Sequence, residues 1–360
     1  MSRVIGGSAL SFMKSHILSK SVNKIDIFLN TIRCFSVTKT RNMKLVQFSY
    51  KDSPKNIRVG YLEGDDIVDI NKADSSLPTT LLQILRNGDL EKVKKLKSTK
   101  PATIPLSSVT LTAPIHGVDK ILCIGLNYKD HCQEQNLTPP PVPMVFSKFS
   151  STIIGPDQPV RIRTDVTKSC RVNHQRESQE SDVTPTCANW GQLNLSAPKV
   201  DWEVELCVVV GREASCVREE DALQHVAGYT VAQDISARDW QKEKNMGQFL
   251  LGKSMDTFCP LGPCVLTSDE VGAAVELRVS CSLNGVLKQS SSTAQLVHSI
   301  PSLLHRISSV MTLVPGDLIL TGTPGGVGMY RQPPEYLQPG DVLTSEIEKI
   351  GAFDVRIEKF

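Results

Sequence analysis

The stretch Val200-Asp-Trp-Glu-Val-Glu-Leu-Cys-Val-Val-Val-Gly211 reads as a β-strand, apolar and β-branched over strand length and closed by a glycine. Strand side chains alternate, so Trp202, Val204 and Leu206 share one face and Glu203 and Glu205 the other. Two carboxylates side by side on so apolar a strand repel each other and are costly to desolvate. A divalent cation between them removes that conflict. A half-exposed strand whose polar face meets water satisfies the same pattern. The rest of the chain has to decide between the two.

With 360 residues the chain can bury a sizeable core and form one large domain or two smaller ones. Its net charge of +2 is unevenly placed: seven basic residues and the single acid Asp26 precede Met43. No basic run is interleaved with aromatics, which argues against nucleic-acid binding, and no apolar run approaches a membrane span. The ten cysteines show neither a CxxC nor a zinc spacing and read as reduced, mostly buried thiols. Residues 1–42 are Ser-rich and basic, with an apolar helical stripe through Ile17, Leu18, Val22, Ile25 and Leu29. That composition predicts a mitochondrial transit peptide and a matrix location; a disordered basic tail is the competing reading.

Folded sequence is expected from Met43. Strands at Leu45–Tyr50, Arg58–Leu62 and Ile67–Ile70, then a helix Leu81–Arg86 capped by Thr80, make a small N-terminal α+β domain over 43–112. The remainder, 113–360, forms the second domain. Within it, residues 169–197 lack both hydrophobic periods and read as an insertion, disordered or loosely packed.

Several features of the second domain carry chemistry. A strand ending at Gly125 runs into Leu126-Asn-Tyr-Lys-Asp-His131, and a helix from about Asn127 places His131 and Glu134 on one face. Such a pair can serve as a general base or remain a weak surface contact. The strand Val226–Gln233 delivers Asp234, expected to cap a helix that carries Arg238 and Gln241 at helical spacing. Lys253 lies among Gly and small residues, as suits an oriented, partly buried ammonium. The loop Thr321-Gly-Thr-Pro-Gly-Gly-Val-Gly328 lacks the Lys-Ser/Thr of a phosphate loop, and its glycines are expected to bring backbone N–H groups close to an oxygen-bearing ligand. Asn284-Gly285 predicts a hairpin, and Gln295–Met311 an amphipathic helix.

Taken in order, Gly125–His131 with Glu134, Asp201–Glu205, Gln233–Asp239, Gly252–Phe258 and Thr321–Gly328 make the chain resemble the fumarylacetoacetate hydrolase family. The resemblance implies an α+β fold with a mixed β-roll or β-sandwich catalytic domain, usually a homodimer, acting on a small 2-oxo acid. It implies Mg²⁺, with Mn²⁺ or Ca²⁺ as substitutes, held by Glu203, Glu205 and Asp234. His131 and Glu134 map onto the acid–base dyad, with Lys253 as a third catalytic group; Arg238, Gln241 and Thr323 map onto positions around the substrate. The shared intermediate is an enolate. Similarity to mitochondrial members of the family points to enol–keto tautomerisation of oxaloacetate. Acylpyruvate-type C–C hydrolysis and oxaloacetate decarboxylation are the alternatives, and a non-catalytic, metal-stabilised binding protein is a further one.

Overall fold

The computed structural model describes residues 43–164, 196–271 and 276–360. The expected transit peptide, and all of the expected insertion except Ser196 and Ala197, lie outside the described residues. Those two residues are buried.

The first segment forms β1 (Lys44–Tyr50), β2 (Ser53–Glu63), β3 (Asp66–Asp69), β4 (Thr103–Pro105) and β5 (Val109–Leu111). Between β3 and β4 lies the helix Leu81–Arg86, where the Thr80 side chain accepts from the Gln83 N–H as the sequence predicts. Next come β6 (Ile121–Gly125), β7 (Met144–Lys148), β8 (Ile153–Ile154) and β9 (Val160–Ile162). After the undescribed stretch follow β10 (Val200–Asp201), β11 (Val204–Val210), β12 (Val226–Gln233), β13 (Ser236–Ala237) and β14 (Cys259–Thr267). The chain closes with β15 (Arg278–Leu283), β16 (Val286–Ser292), β17 (Leu318–Leu320), β18 (Val342–Ile347) and β19 (Gly351–Lys359).

These strands build a mixed twelve-stranded sheet, ordered β4-β3-β2-β1-β14-β12-β11-β17-β6-β7, with β5 on β1 and β8 on β14. A five-stranded sheet, β16-β15-β18-β19-β9, is the second layer. This is the α+β fold expected. Strands of residues 43–112 extend the large sheet, because β1 hydrogen-bonds β14 with Leu45 opposite Val265.

Alternation along β11 assigns its two faces. Val204, Leu206, Val208 and Val210 point into the core shared with Val279, Leu343 and Val355 of the second sheet. Cys207 and Val209 point the other way, into a core shared with Leu45, Tyr61, Ile84 and Leu85 of the N-terminal segment. Seven cysteines among the described residues are free thiols, and all but Cys216 are buried.

Three local expectations change. The stretch 200–211 is broken, since Trp202 and Glu203 separate β10 from β11. Asp234 caps no helix; the chain instead forms β13, which pairs with β10, and then a π-helical turn over Trp240–Lys244. The amphipathic helix is confined to Ile300–Ser308, because Ser299 caps it and Pro301 occupies its first turn. Asn284 and Gly285 both have positive φ, as a two-residue hairpin turn requires.

Asp317 fixes the strand from which the glycine-rich loop springs. Its buried carboxylate accepts from the Lys120 N–H (3.0 Å) and the Val314 N–H (2.8 Å) and pairs with Lys120 Nζ (2.9 Å). Asp317→Ala leaves these donors unmatched, so unfolding by urea should show a loss of about 2–4 kcal/mol. A loss under about 0.5 kcal/mol would show that the clamp is dispensable.

Candidate active site and metal centre

The acidic cluster grows from the break before β11. The β11–β12 ladder starts with Val204 opposite Gln233, and the Asp234 N–H donates to the Glu203 carbonyl (2.9 Å) just beyond it. Side chains replace the missing ladder bonds: Gln233 Oε1 accepts from the Glu203 N–H (2.9 Å) and Gln289 Oε1 from the Val204 N–H (3.0 Å). Glu203, Glu205 and Asp234 are thereby brought together, all buried, with one carboxylate oxygen from each within 4.8 Å of the others. The wet-face reading of the strand is excluded by that burial.

Cations crowd the cluster. Lys253 Nζ lies 2.6 Å from Glu203 Oε2 and 2.7 Å from Asp234 Oδ2. Arg238 reaches Glu203 Oε1 (2.7 Å) and, through Nε, Asp201 Oδ2 (2.9 Å), while its Nη1 also donates to Gln241 Oε1 (3.0 Å). Burial alone would raise the pKa of Glu203, but the charges of Lys253 and Arg238 prevail and hold it well below the usual carboxylate range. Glu205 behaves oppositely. Burial, reinforced by Asp234 and Glu203, pushes its pKa well up, and the Gly322 N–H (2.7 Å) only partly offsets this. Burial lowers the pKa of Lys253, yet Asp234 and Glu203 more than compensate and carry it to about 12, so the ammonium stays charged.

On the facing wall, the helix Lys129–Glu134 sets His131 Nδ1 2.6 Å from Glu134 Oε1. With Nδ1–H donating to that carboxylate, Nε2 carries the lone pair, and Gln135 Nε2 lies 3.0 Å from it. His131, Glu203, Glu205, Arg238, Lys253 and Thr323 line one cavity of about 110 Å³, whose apolar side includes Phe146 and Phe249. Every residue singled out in the sequence except Asp234 and Glu134 lines this cavity, and those two bond directly to residues that do.

The glycine-rich loop serves the protein's own carboxylates rather than an external ligand. The Gly326 N–H donates to Glu134 Oε2 (2.8 Å), the Gly328 N–H to Asp201 Oδ1 (2.7 Å) and the Met329 N–H to Asp201 Oδ2 (2.9 Å). Gly326 has a φ of +102°, and a Cβ there would sit 2.3 Å from the Lys288 carbonyl, so only glycine fits. Thr323 Oγ1 is likewise engaged within the protein, donating to the Val204 carbonyl (3.0 Å) and accepting from Gln289 Nε2 (2.8 Å).

Sequence reasoning missed Lys148 and Asp201. Lys148 is buried and bonds Asp234 Oδ1 (2.7 Å) and the Ile235 carbonyl (3.1 Å). Its signal was a solitary cation closing the strand Met144-Val-Phe-Ser-Lys148. Asp201 heads the Asp201–Glu205 motif, but its distance from Arg238 in sequence hid their pairing.

The model of the fumarylacetoacetate (FAA) hydrolase C-terminal family matches residues 120–358, about two thirds of the chain. The chain belongs to the fumarylacetoacetate hydrolase family. It is an enzyme of that family, whose members compared with it carry isomerase, tautomerase and hydrolase names. Among family relatives, the oxaloacetate tautomerase fahd2, mitochondrial, of Xenopus laevis is 42% identical over 323 residues, 89% of this chain and 92% of that protein. A putative HpcE protein from Mycobacterium smegmatis superposes with a TM-score of 0.70 at 32% identity, over 87% of this chain and 99% of that one. The maleylpyruvate hydrolase from Sphingobium sp. SYK-6, in complex with a manganese(II) ion and pyruvate, has a TM-score of 0.64 at 26% identity, over 88% and 99%. Relatives from Xenopus, cattle, rat and human are named mitochondrial, and this chain is a mitochondrial protein.

Three buried carboxylates form an all-oxygen donor set that fits a hard divalent cation. The raised pKa of Glu205 fixes how that binding depends on pH. Without metal, folding keeps a proton on Glu205 that an unfolded glutamate would release. The resulting stability is complete below the ordinary carboxylate range and is lost as pH rises through the raised pKa. A divalent cation must displace that proton. Apparent affinity for Mn²⁺ should therefore climb with pH, by up to about tenfold per unit below that pKa, with proton release seen by calorimetry in two buffers. A pH-independent affinity without proton release would contradict the assignment.

Proposed function

We propose that the chain is a Mg²⁺-dependent tautomerase that interconverts the enol and keto forms of oxaloacetate, with Mn²⁺ or Ca²⁺ as substitute ions. The observation that carries this reading is the His131–Glu134 pair opening onto the same cavity as the acidic triad and Lys253. The names of the relatives, oxaloacetate tautomerases at about 40% identity, support it.

Each residue has a chemical task in this reading. Glu134, pinned by the Gly326 N–H, fixes the orientation and tautomer of the His131 imidazole. The Nε2 lone pair takes the enol hydroxyl proton and returns it to C3, so no atom is gained or lost. Negative charge that develops on the oxygen meets the Lys253 ammonium, which Glu203 and Asp234 hold in place. Arg238 and Gln241 orient the substrate from the neighbouring wall, Thr323, whose hydroxyl proton goes to the Val204 carbonyl, shapes that wall, and the apolar side at Phe146 and Phe249 limits water. When bound at Glu203, Glu205 and Asp234, the cation supplies further positive charge for the oxygens of a 2-oxo acid.

A C–C hydrolase is the second reading. It is favoured by a larger cavity of about 550 Å³ lined by Glu134, Tyr330 and Gln332–Glu335, where an acyl group has room. Purified protein given fresh enol-oxaloacetate and an acylpyruvate in parallel separates the two. Accelerated enol decay with oxaloacetate conserved is the expected result; pyruvate plus a carboxylic acid from the acylpyruvate alone would overturn it. His131→Ala and Glu205→Ala should each reduce kcat by about 10²–10⁴-fold.

We also propose a homodimer. The strand β7 ends the large sheet and exposes Met144 and Val145, with Phe149 and Leu251 exposed beside it. Light scattering at micromolar concentration should give twice the chain mass, falling to the monomer in Val145→Glu; a monomeric parent protein would refute it.

A further inference from the structure

Three cations line the cavity: Arg238, Lys242 and Lys253. Two are committed to buried carboxylates. Lys253 serves Glu203 and Asp234, and Arg238 serves Asp201 and Glu203. Lys242 differs, since it has no ion pair among the described residues and its polar contact is to the Tyr330 hydroxyl, 2.9 Å away. The same ammonium lies 5.2 Å from the centre of the Tyr330 ring, beyond its hydroxyl end, so the tyrosine steadies it through that hydrogen bond. Tyr330 in turn meets the His131 ring edge-on at 6.3 Å, which places the pair on the acid–base side of the cavity. Lys242 is exposed at the mouth while its neighbour Gln241 is buried and bonded to Arg238, so the turn that presents it is anchored.

An ammonium with spare donors, beside a phenol that keeps its own proton to donate, is a receptor for an anion. The metal-side residues deal with the 2-oxo acid end of the substrate, and that much rests on the function proposed above. We propose that Lys242, steadied by Tyr330, binds the distal carboxylate of a dicarboxylic 2-oxo acid and so makes the site prefer diacids to 2-oxo acids with an uncharged side chain. Lys242 is a binding residue here and takes no part in proton transfer.

The test compares kcat and KM with enol-oxaloacetate and enol-phenylpyruvate, with Mg²⁺, in the parent protein, Lys242→Met, Lys242→Arg and Tyr330→Phe. In Lys242→Met the ratio of kcat/KM for oxaloacetate over phenylpyruvate should fall about tenfold or more, chiefly through KM for oxaloacetate. Lys242→Arg should restore it to within about threefold, and Tyr330→Phe should give an intermediate loss. An unchanged ratio in Lys242→Met, or an equal loss with both substrates, would overturn the proposal. Should the parent protein turn over neither enol, the tautomerase reading fails, and calorimetric titration of oxaloacetate and pyruvate into Mg²⁺-loaded protein decides the role of Lys242 separately. A preference for oxaloacetate that disappears in Lys242→Met supports it; equal preference in both proteins refutes it.

Discussion

Four carboxylates, those of Asp201, Glu203, Glu205 and Asp234, are buried within a few residues of one strand break, and the structure around them neutralises that charge. Desolvating so many anions together would cost far more than a domain's net stability if they stood alone. Lys148, Lys253 and Arg238 are drawn in from three separate segments to pair with them. Backbone N–H groups of Gly322, Gly328 and Met329 supply further donors to Glu205 and Asp201, and the Trp202 N–H another to Asp201. One requirement thus ties together the ends of β7, β11, β12 and β17. Burial raises the pKa of both Asp201 and Glu205, and Glu205, the member with the fewest donors and with Asp234 and Glu203 beside it, is pushed well up.

The same requirement gives the site its polarity. A cation can enter where Glu205 would otherwise keep a proton, while Lys253 and Arg238 remain charged beside it. Opposite this charged floor stands a single acid–base pair, held from behind by the loop that also holds the acids. A glycine at 326 therefore matters to both halves of the site, since its N–H reaches Glu134 and its carbonyl accepts from the Trp202 indole.

Much of this was legible in the sequence because it was local. Alternation along 204–210 separated Glu205 from Val204 and Leu206, the three-residue spacing paired His131 with Glu134, and Thr80 announced its helix. What stayed hidden depended on contacts between distant residues. Asp234 looked like a helix cap because Ile235–Gln241 has helical spacing, yet pairing of Ser236–Ala237 with Val200–Asp201 overrides that propensity. Lys148 reads as an ordinary strand-end lysine until the fold sets it against Asp234, 86 residues away. The glycine-rich loop announced close approach by backbone N–H groups, but composition alone could not tell a ligand's oxygens from those of Asp201 and Glu134.

The most direct test of the assignment is crystallographic: anomalous scattering from Mn²⁺ in the parent protein and in Glu205→Ala. One peak per chain among the carboxylates of Glu203, Glu205 and Asp234, lost in the variant, is the expected result. Manganese bound elsewhere, or retained at that place without Glu205, would contradict it.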